Sequence, residues 1–435
     1  MKKLFKLVGW VLLLSLLLGG CDGLPFNLPW MTEEMPSSTV TEEVIDETLM
    51  TPEATITEDI VEGPITQLTI WVPPDMDPDL GTEASQFLTR QLSLFSEDHG
   101  GLEIIIRVKA ESGASGLLDS LTATSIAAPN ALPDLIALSR TDLETAALKN
   151  LIYPLDALTD IPDDPDWYPF AREMALLQGS TFGFPFAADV LVQVYRPSEE
   201  SEYSGALTDL MEGGTVLSFP AGSDLSLFTF ALYQSEGGQI QDSQRRPVLE
   251  TEPLVNVFQF ISDGIWAGIF QPSLADLKTD DQVWEAFQEG EHDLAVTWVT
   301  NYLQEGPADT ILIPLLMPNE KLDSIGSGWS WAVSTPNNTR QVLAVELAEF
   351  LVAADFLASW SDAAGFIPTR PSALEGWRDQ NLRATISQIA LTAHLLPSND
   401  IMASIGPVLR DGTLQVLQDQ DPEQAALEAV EKLEE

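Results

Sequence analysis

Leu68-Thr69-Ile70-Trp71-Val72-Pro73-Pro74 opens the folded part of the chain. An unbroken β-branched and aromatic run forms a strand, and two prolines halt it. Glu83 to Asp98 then places Phe87, Leu88, Leu92 and Phe95 at helical spacing. The turn His99-Gly100-Gly101 leads into a second strand, Leu102 to Val108, and Gly116 to Ile126 reads as a helix. Leu135-Ile136-Ala137-Leu138 is a short buried strand, and Asp142 to Leu148 is helical with Thr141 as its N-cap. This alternation predicts a parallel sheet with right-handed crossovers.

The pattern resumes after Asp189. Val190 to Tyr195, Val216 to Phe219 and Leu294 to Val299 read as strands; Ser223 to Ser235, Pro253 to Ala267 and Val283 to Gln288 read as helices. Two α/β units with an aromatic-rich junction place a crevice between them, and open α/β sheets bind ligands beyond the carboxyl ends of their strands. No repeat of fixed period is visible.

Upstream, the chain has a different character. Lys2, Lys3 and Lys6 precede an apolar run from Leu7 to Leu18, the layout of a secretory leader over residues 1–20 and too short to favour a spanning helix. The chain's one cysteine follows in Leu18-Gly19-Gly20-Cys21, which resembles the bacterial lipobox. That resemblance implies that the Cys21 thiol carries a diacylglycerol, and several acyl chains give stable anchoring. The other reading is a membrane anchor helix with an incidental cysteine. Residues 21–65 hold Thr, Glu, Pro and Ser with isolated aliphatics and no Lys or Arg. Such a stretch cannot bury a core, so it reads as a disordered acidic tether, or otherwise as an acidic tail that binds a partner.

Charge narrows the function. The chain has 67 acids and 20 bases, and removing a leader with three lysines deepens the imbalance. Nucleic-acid phosphates would be repelled, and highly anionic ligands are disfavoured without a local basic pocket. With a single cysteine no intramolecular disulfide forms, so stability rests on the core. Eleven Trp and 18 Phe point to aromatic-lined recognition surfaces.

Four stretches carry a family resemblance. They are Leu132-Pro133-Asp134-Leu135-Ile136 with Ser139-Arg140-Thr141 and Tyr153-Pro154-Leu155-Asp156; Gly183-Phe184-Pro185-Phe186-Ala187-Ala188-Asp189; Ala286-Phe287-Gln288-Glu289-Gly290 with Leu294-Ala295-Val296-Thr297-Trp298 and Gly326-Ser327-Gly328-Trp329; and Gly365-Phe366-Ile367-Pro368-Thr369-Arg370, with Pro422-Glu423-Gln424-Ala425-Ala426 near the end. In this order, from Leu68 to about Ala429, the chain resembles the extracellular solute-binding proteins of ABC importers, in the branch of sugar and maltose binders. The resemblance implies an α/β, two-lobed periplasmic-binding-protein fold of type II, each lobe a mainly parallel sheet flanked by helices, joined by a hinge. By analogy lobe one spans 66–187 and 327–380, and lobe two spans 188–326 and 381–435. The hinge falls near 187–190 and 326–329, where small residues absorb rotation. It further implies a monomer on the outer face of the cell membrane that passes a small solute to permease subunits, with no cofactor and no metal.

A sugar site needs flat apolar faces for pyranose C–H surfaces and planar polar groups for hydroxyl pairs. Asp189 is the leading polar candidate, because maltose-binding relatives carry a ligand-contacting carboxylate at this spacing; its plain alternative is a hinge Asp capping a turn. Trp298 and Trp329 stand where relatives place a stacking aromatic, with Tyr302 as a fallback for the former. Arg140 follows a strand and either forks onto the ligand or pairs with a nearby acid. Asp75 and Asp77 after the first strand, Ser112 and Gly113 after the second, and Ser218 and Ser223 in lobe two complete the candidates; Arg370 reads as structural.

Rival classes find less support. His99, His292 and His394 lie far apart with no metal-ligand spacing, and no Gly-x-Ser-x-Gly elbow occurs. Among 67 acids, a carboxylate pair for glycoside hydrolysis is unremarkable. Pro162 and Pro165 interrupt the acidic run Asp160 to Asp166 as a calcium loop. A surface lipoprotein that senses a ligand without transport keeps the same fold and remains the alternative.

Overall fold

Gln67–Val72 forms strand β1, with Leu68, Ile70, Trp71 and Val72 buried. The computed structural model describes residues 64–197, 203 and 205–434. The leader, Cys21 and all but the last two residues of the tether lie outside them. β1 runs parallel to β2 (Glu103–Val108) along its whole length and parallel to β3 (Leu135–Ser139) on its other edge. The Glu83–Asp98 helix connects β1 to β2. Thr82 caps it, its Oγ1 accepting from Ser85 N at 3.1 Å, and Ala84, Leu88, Leu92 and Phe95 form the buried stripe.

After β3 the helix begins earlier than expected, spanning Arg140–Leu148. Its cap is Ser139, not Thr141: Ser139 ends the strand in an extended conformation and its Oγ accepts from Asp142 N at 3.3 Å. A hairpin of β4 (Leu176–Leu177) and β5 (Ser180–Thr181) leads into β6, Phe184–Tyr195, twelve residues long. The sequence suggested a strand only from Val190. Pro185 hid the first half, and it is tolerated because the ladder shifts register between Trp329 and Ser330, the latter opposite Pro185.

β6 joins two strand sets. Its first half pairs antiparallel with β10 (Ser324–Val333), and its second half with β8 (Leu294–Trp298) and β9 (Ile311–Ile313). β7 (Leu217–Ser218) runs parallel to β8, and β10 continues antiparallel to β3. The resulting order is β2-β1-β3-β10-β6-β8-β7. Two short strands, β11 (Ile367–Pro368) and β12 (Ala393–Leu395), pair with β6 and β10. β10 was not expected as a strand, because Gly326 and Gly328 weaken strand propensity. Close contact requires both: a Cβ on Gly328 would stand 2.2 Å from Ala187 O, and one on Gly326 2.6 Å from the Phe170 ring.

The packing follows the strand sets. One core gathers residues of 68–187 and 331–373, and another gathers residues of 191–325 and 396–429. A third, containing Val190, Val192, Phe287, Val299, Ile386 and Ile389, surrounds β6 between them. Two α/β lobes thus share the strands β6 and β10. The Leu227–Ser235 helix starts after Ser226, whose φ of 48° breaks the helix expected from Ser223. The Asn399–Leu417 and Pro422–Glu434 helices pack on the Thr251–Trp266 helix in the second core.

Candidate functional site

The two shared strands carry the site. Asp189 lies on β6 opposite Ser327 of β10, one residue before the strand passes from one lobe to the other. Its Oδ1 accepts from Val190 N at 2.9 Å and Thr300 N at 3.2 Å, and its Oδ2 accepts from the Thr300 hydroxyl at 2.6 Å. Burial pushes the Asp189 carboxyl up to about 7, against these hydrogen bonds, which favour the charged form. Thr300 belongs to the Val299–Glu305 helix of the second lobe, so Asp189 ties the crossing to that helix.

Trp298 and Trp329 flank this point. Trp298 ends β8 opposite Leu191, at the N-cap of the Val299–Glu305 helix. Trp329 sits in β10 between Ser139 of β3 and Ala187 of β6. Both are half-buried, which leaves part of each ring available. The Trp298 indole lies near Asp280, the first residue of the Asp280–Gln288 helix, and favours its charged form. Burial pushes the Asp280 carboxyl up to about 6, aided by the neighbouring charge of Asp281 and opposed by that indole contact.

A cavity of about 280 Å³ brings these residues together. Its lining includes Asp75, Glu111, Phe186, Trp329, Trp360 and Phe366 from the first lobe, Asp280, Asp281, Trp298, Thr300, Asn301 and Gln304 from the second, and Asp189 at the crossing. Trp360 and Phe366 lie nearly parallel, 6.0 Å apart and inclined by 3°, and Phe186 packs against Trp360 at 5.6 Å. Gln304 Nε2 donates to Ala364 O at 3.0 Å and links the lobes at one side. Glu111 is pushed above the ordinary carboxylate range by partial burial and by the like charges of Asp75 and Asp281, the latter on the opposite lobe. A larger cavity of about 650 Å³, which takes in Gln67, Thr69 and Arg340, lies toward the start of β1. It is away from the carboxyl ends where such sheets bind ligands.

Of the residues singled out from sequence, Asp75, Asp189, Trp298 and Trp329 share the cavity. Arg140, Ser112 and Ser218 do not line it. Arg140 is buried and donates to Glu144 at 2.9 Å, while Glu144 also accepts from Asn399 N. Ser112 lies in an exposed loop, and Ser218 is fully buried, its Oγ donating to Leu294 O at 3.2 Å. Asp77 caps a short turn and Arg370 sits 4.0 Å over the Trp167 ring while paired with Asp164. Glu111, Asp280, Asp281, Thr300, Trp360 and Phe366 were not foreseen; acids among so many, and aromatics at core-like spacing, carry no local signature.

Residues 92–384 match the family described as bacterial extracellular solute-binding protein. The chain belongs to this family. Comparison with curated protein sequences found no match. Among solved structures, maltose-bound MalE3 of T. maritima superposes with a TM-score of 0.64 at 18% identity, covering 85% of this chain and 99% of that one. The sugar-binding protein MalE of Xanthomonas citri gives 0.69 at 17% identity, over 85% and 96%. An extracellular solute-binding protein of Staphylococcus aureus in complex with maltose gives 0.67 at 16%, over 86% and 98%. These likenesses establish the two-lobed fold, and the family establishes solute binding outside the cell.

Proposed function

We propose that this solute-binding protein captures a sugar or short oligosaccharide in the cavity between its lobes and delivers it to an ABC permease. The observation that carries the reading is the meeting of the Trp298 and Trp329 faces with the Asp189 carboxylate at the crossing strand. Ring faces suit pyranose C–H surfaces, and a carboxylate accepts from two hydroxyls at once. Two of the neighbours above are recorded with maltose bound. A ligand touching both lobes binds the closed state better and shifts the hinge equilibrium toward it, and a permease that reads the closed pair then receives the solute. Binding proceeds without covalent chemistry or cofactor, in a monomer held at the outer membrane face by a lipid on Cys21.

Intrinsic tryptophan fluorescence of the full-length protein in detergent, titrated with mono- and oligosaccharides, tests this. A saturable change that Trp298→Ala abolishes supports it. No response from folded protein across the panel refutes the sugar assignment. Loss of membrane association in Cys21→Ser tests the anchor.

A further inference from the structure

Five carboxylates, Asp75, Glu111, Asp189, Asp280 and Asp281, face one cavity whose described lining residues include no Lys or Arg. Asp75, Glu111 and Asp281 are exposed, whereas Asp189 and Asp280 are half-buried. Elsewhere the same chain brings an arginine to several buried or half-buried carboxylates: Arg340 to Asp134, Arg140 to Glu144, and Arg370 to Asp164 and Asp166. In the cleft the donors to Asp189 are neutral, namely Val190 and Thr300, and no arginine or lysine pairs with Asp280 among the described ion pairs. Like charges also stand opposed across the gap, Glu111 on one lobe feeling Asp281 on the other. Closing the lobes brings these charges nearer together in a medium of lower dielectric, so closure is opposed until a positive charge arrives.

A single metal ion does not fit that role. Among the described residues no three carboxylate, His or Cys side chains are close enough to hold one. The charges are distributed around a cavity of about 280 Å³ walled by Trp298, Trp329 and Trp360. Tryptophan faces attract organic cations as well as sugar C–H surfaces.

We propose that the cleft takes an organic ligand bearing one or more ammonium groups beside C–H faces, an amino-substituted sugar being the form that uses both kinds of wall. This rests on the interlobe cavity being the solute site, and it narrows the class of solute. The ammonium lies between Glu111 and the Asp280–Asp281 pair, and the ring face lies on tryptophan. Neutralising the opposed carboxylates then drives closure.

Calorimetric titration of the full-length protein in detergent tests the inference with glucosamine disaccharide, its neutral di-N-acetyl counterpart, maltose and spermidine, at low and high salt. The charged disaccharide is expected to bind at least about tenfold tighter than the neutral one at low salt, with the gap shrinking at high salt. The double variant Glu111→Gln, Asp281→Asn is expected to close most of that gap. Equal affinity for the charged and neutral disaccharides overturns the inference and leaves the sugar cleft standing. Binding of spermidine with no sugar bound supports the ammonium class and overturns the sugar reading. A gap that persists in the double variant overturns the inference, because Glu111 and Asp281 then do not receive the ammonium. Silence from every probe overturns both.

Discussion

Replacing Asp189 with asparagine separates the cost of a buried charge from everything else in this acidic chain. Burial raises the Asp189 carboxyl from 3.8 to about 7. An acid with a raised folded pKa disfavours ionisation in the folded state. Its stabilising contribution is therefore complete below the unfolded pKa of 3.8 and is lost as pH rises through about 7. Linkage over that window gives a loss of about 2.5 kcal/mol between pH 5 and 8, at about 1.4 kcal/mol per pKa unit. The substituted amide does not titrate and so has no such term, while its side-chain oxygen still accepts from Thr300. Urea unfolding of wild type and Asp189→Asn at pH 5 and pH 8 yields a difference of differences in which the other carboxylates cancel. The variant should gain about 2.5 kcal/mol on wild type across the interval. Parallel pH profiles, within about 1 kcal/mol, would refute the claim that burial dominates over the three hydrogen bonds from Val190 and Thr300.

Substitutions at three further positions probe the site and its frame. Trp298→Ala removes a cavity wall, so solute affinity should fall at least about tenfold in a fluorescence or calorimetric titration; Trp298→Phe should keep part of the face. Arg340→Met leaves Asp134 buried with Thr69 N as a remaining donor, against the present Arg340 contacts of 2.5 and 2.6 Å. Breaking such a pair costs about 3–5 kcal/mol, read as a lowered urea midpoint, and a loss under about 1 kcal/mol would contradict the pairing. Gly328→Ala forces a Cβ to 2.2 Å from Ala187 O in the crossing ladder, an overpacking cost of about 1–3 kcal/mol visible as a lower melting temperature.

What was legible in the sequence follows from whether the signal was local. The Glu83–Asp98 helix announced itself through apolar residues at three- and four-residue spacing, and Leu135–Leu138 through an apolar run. β10 did not, because its glycines are required by contact with Ala187 and Phe170, residues far away in sequence. The same division runs through the site. Asp189, Trp298 and Trp329 were singled out through the family resemblance, although Asp189 and Trp329 lie on strand stretches the pattern did not show, and the structure places all three on one cavity with Asp75. Arg140 also follows a strand, yet in the first turn of a helix its side chain meets Glu144 one turn on, and the pair is completed by Asn399 from the other lobe. Position at a strand end therefore does not settle which way a side chain turns; the partner four residues later does. Glu111, Asp280 and Asp281 were illegible for a third reason. Each is an ordinary loop or helix-start acid by local pattern, and only the meeting of two lobes sets Glu111 against Asp281. On the proposed reading, the charge arrangement depends on how near the two lobes stand to one another. Ligand charge and hinge angle are consequently linked quantities: a cation that quiets the repulsion between Glu111 and Asp281 must, by the same free energy, favour the closed angle.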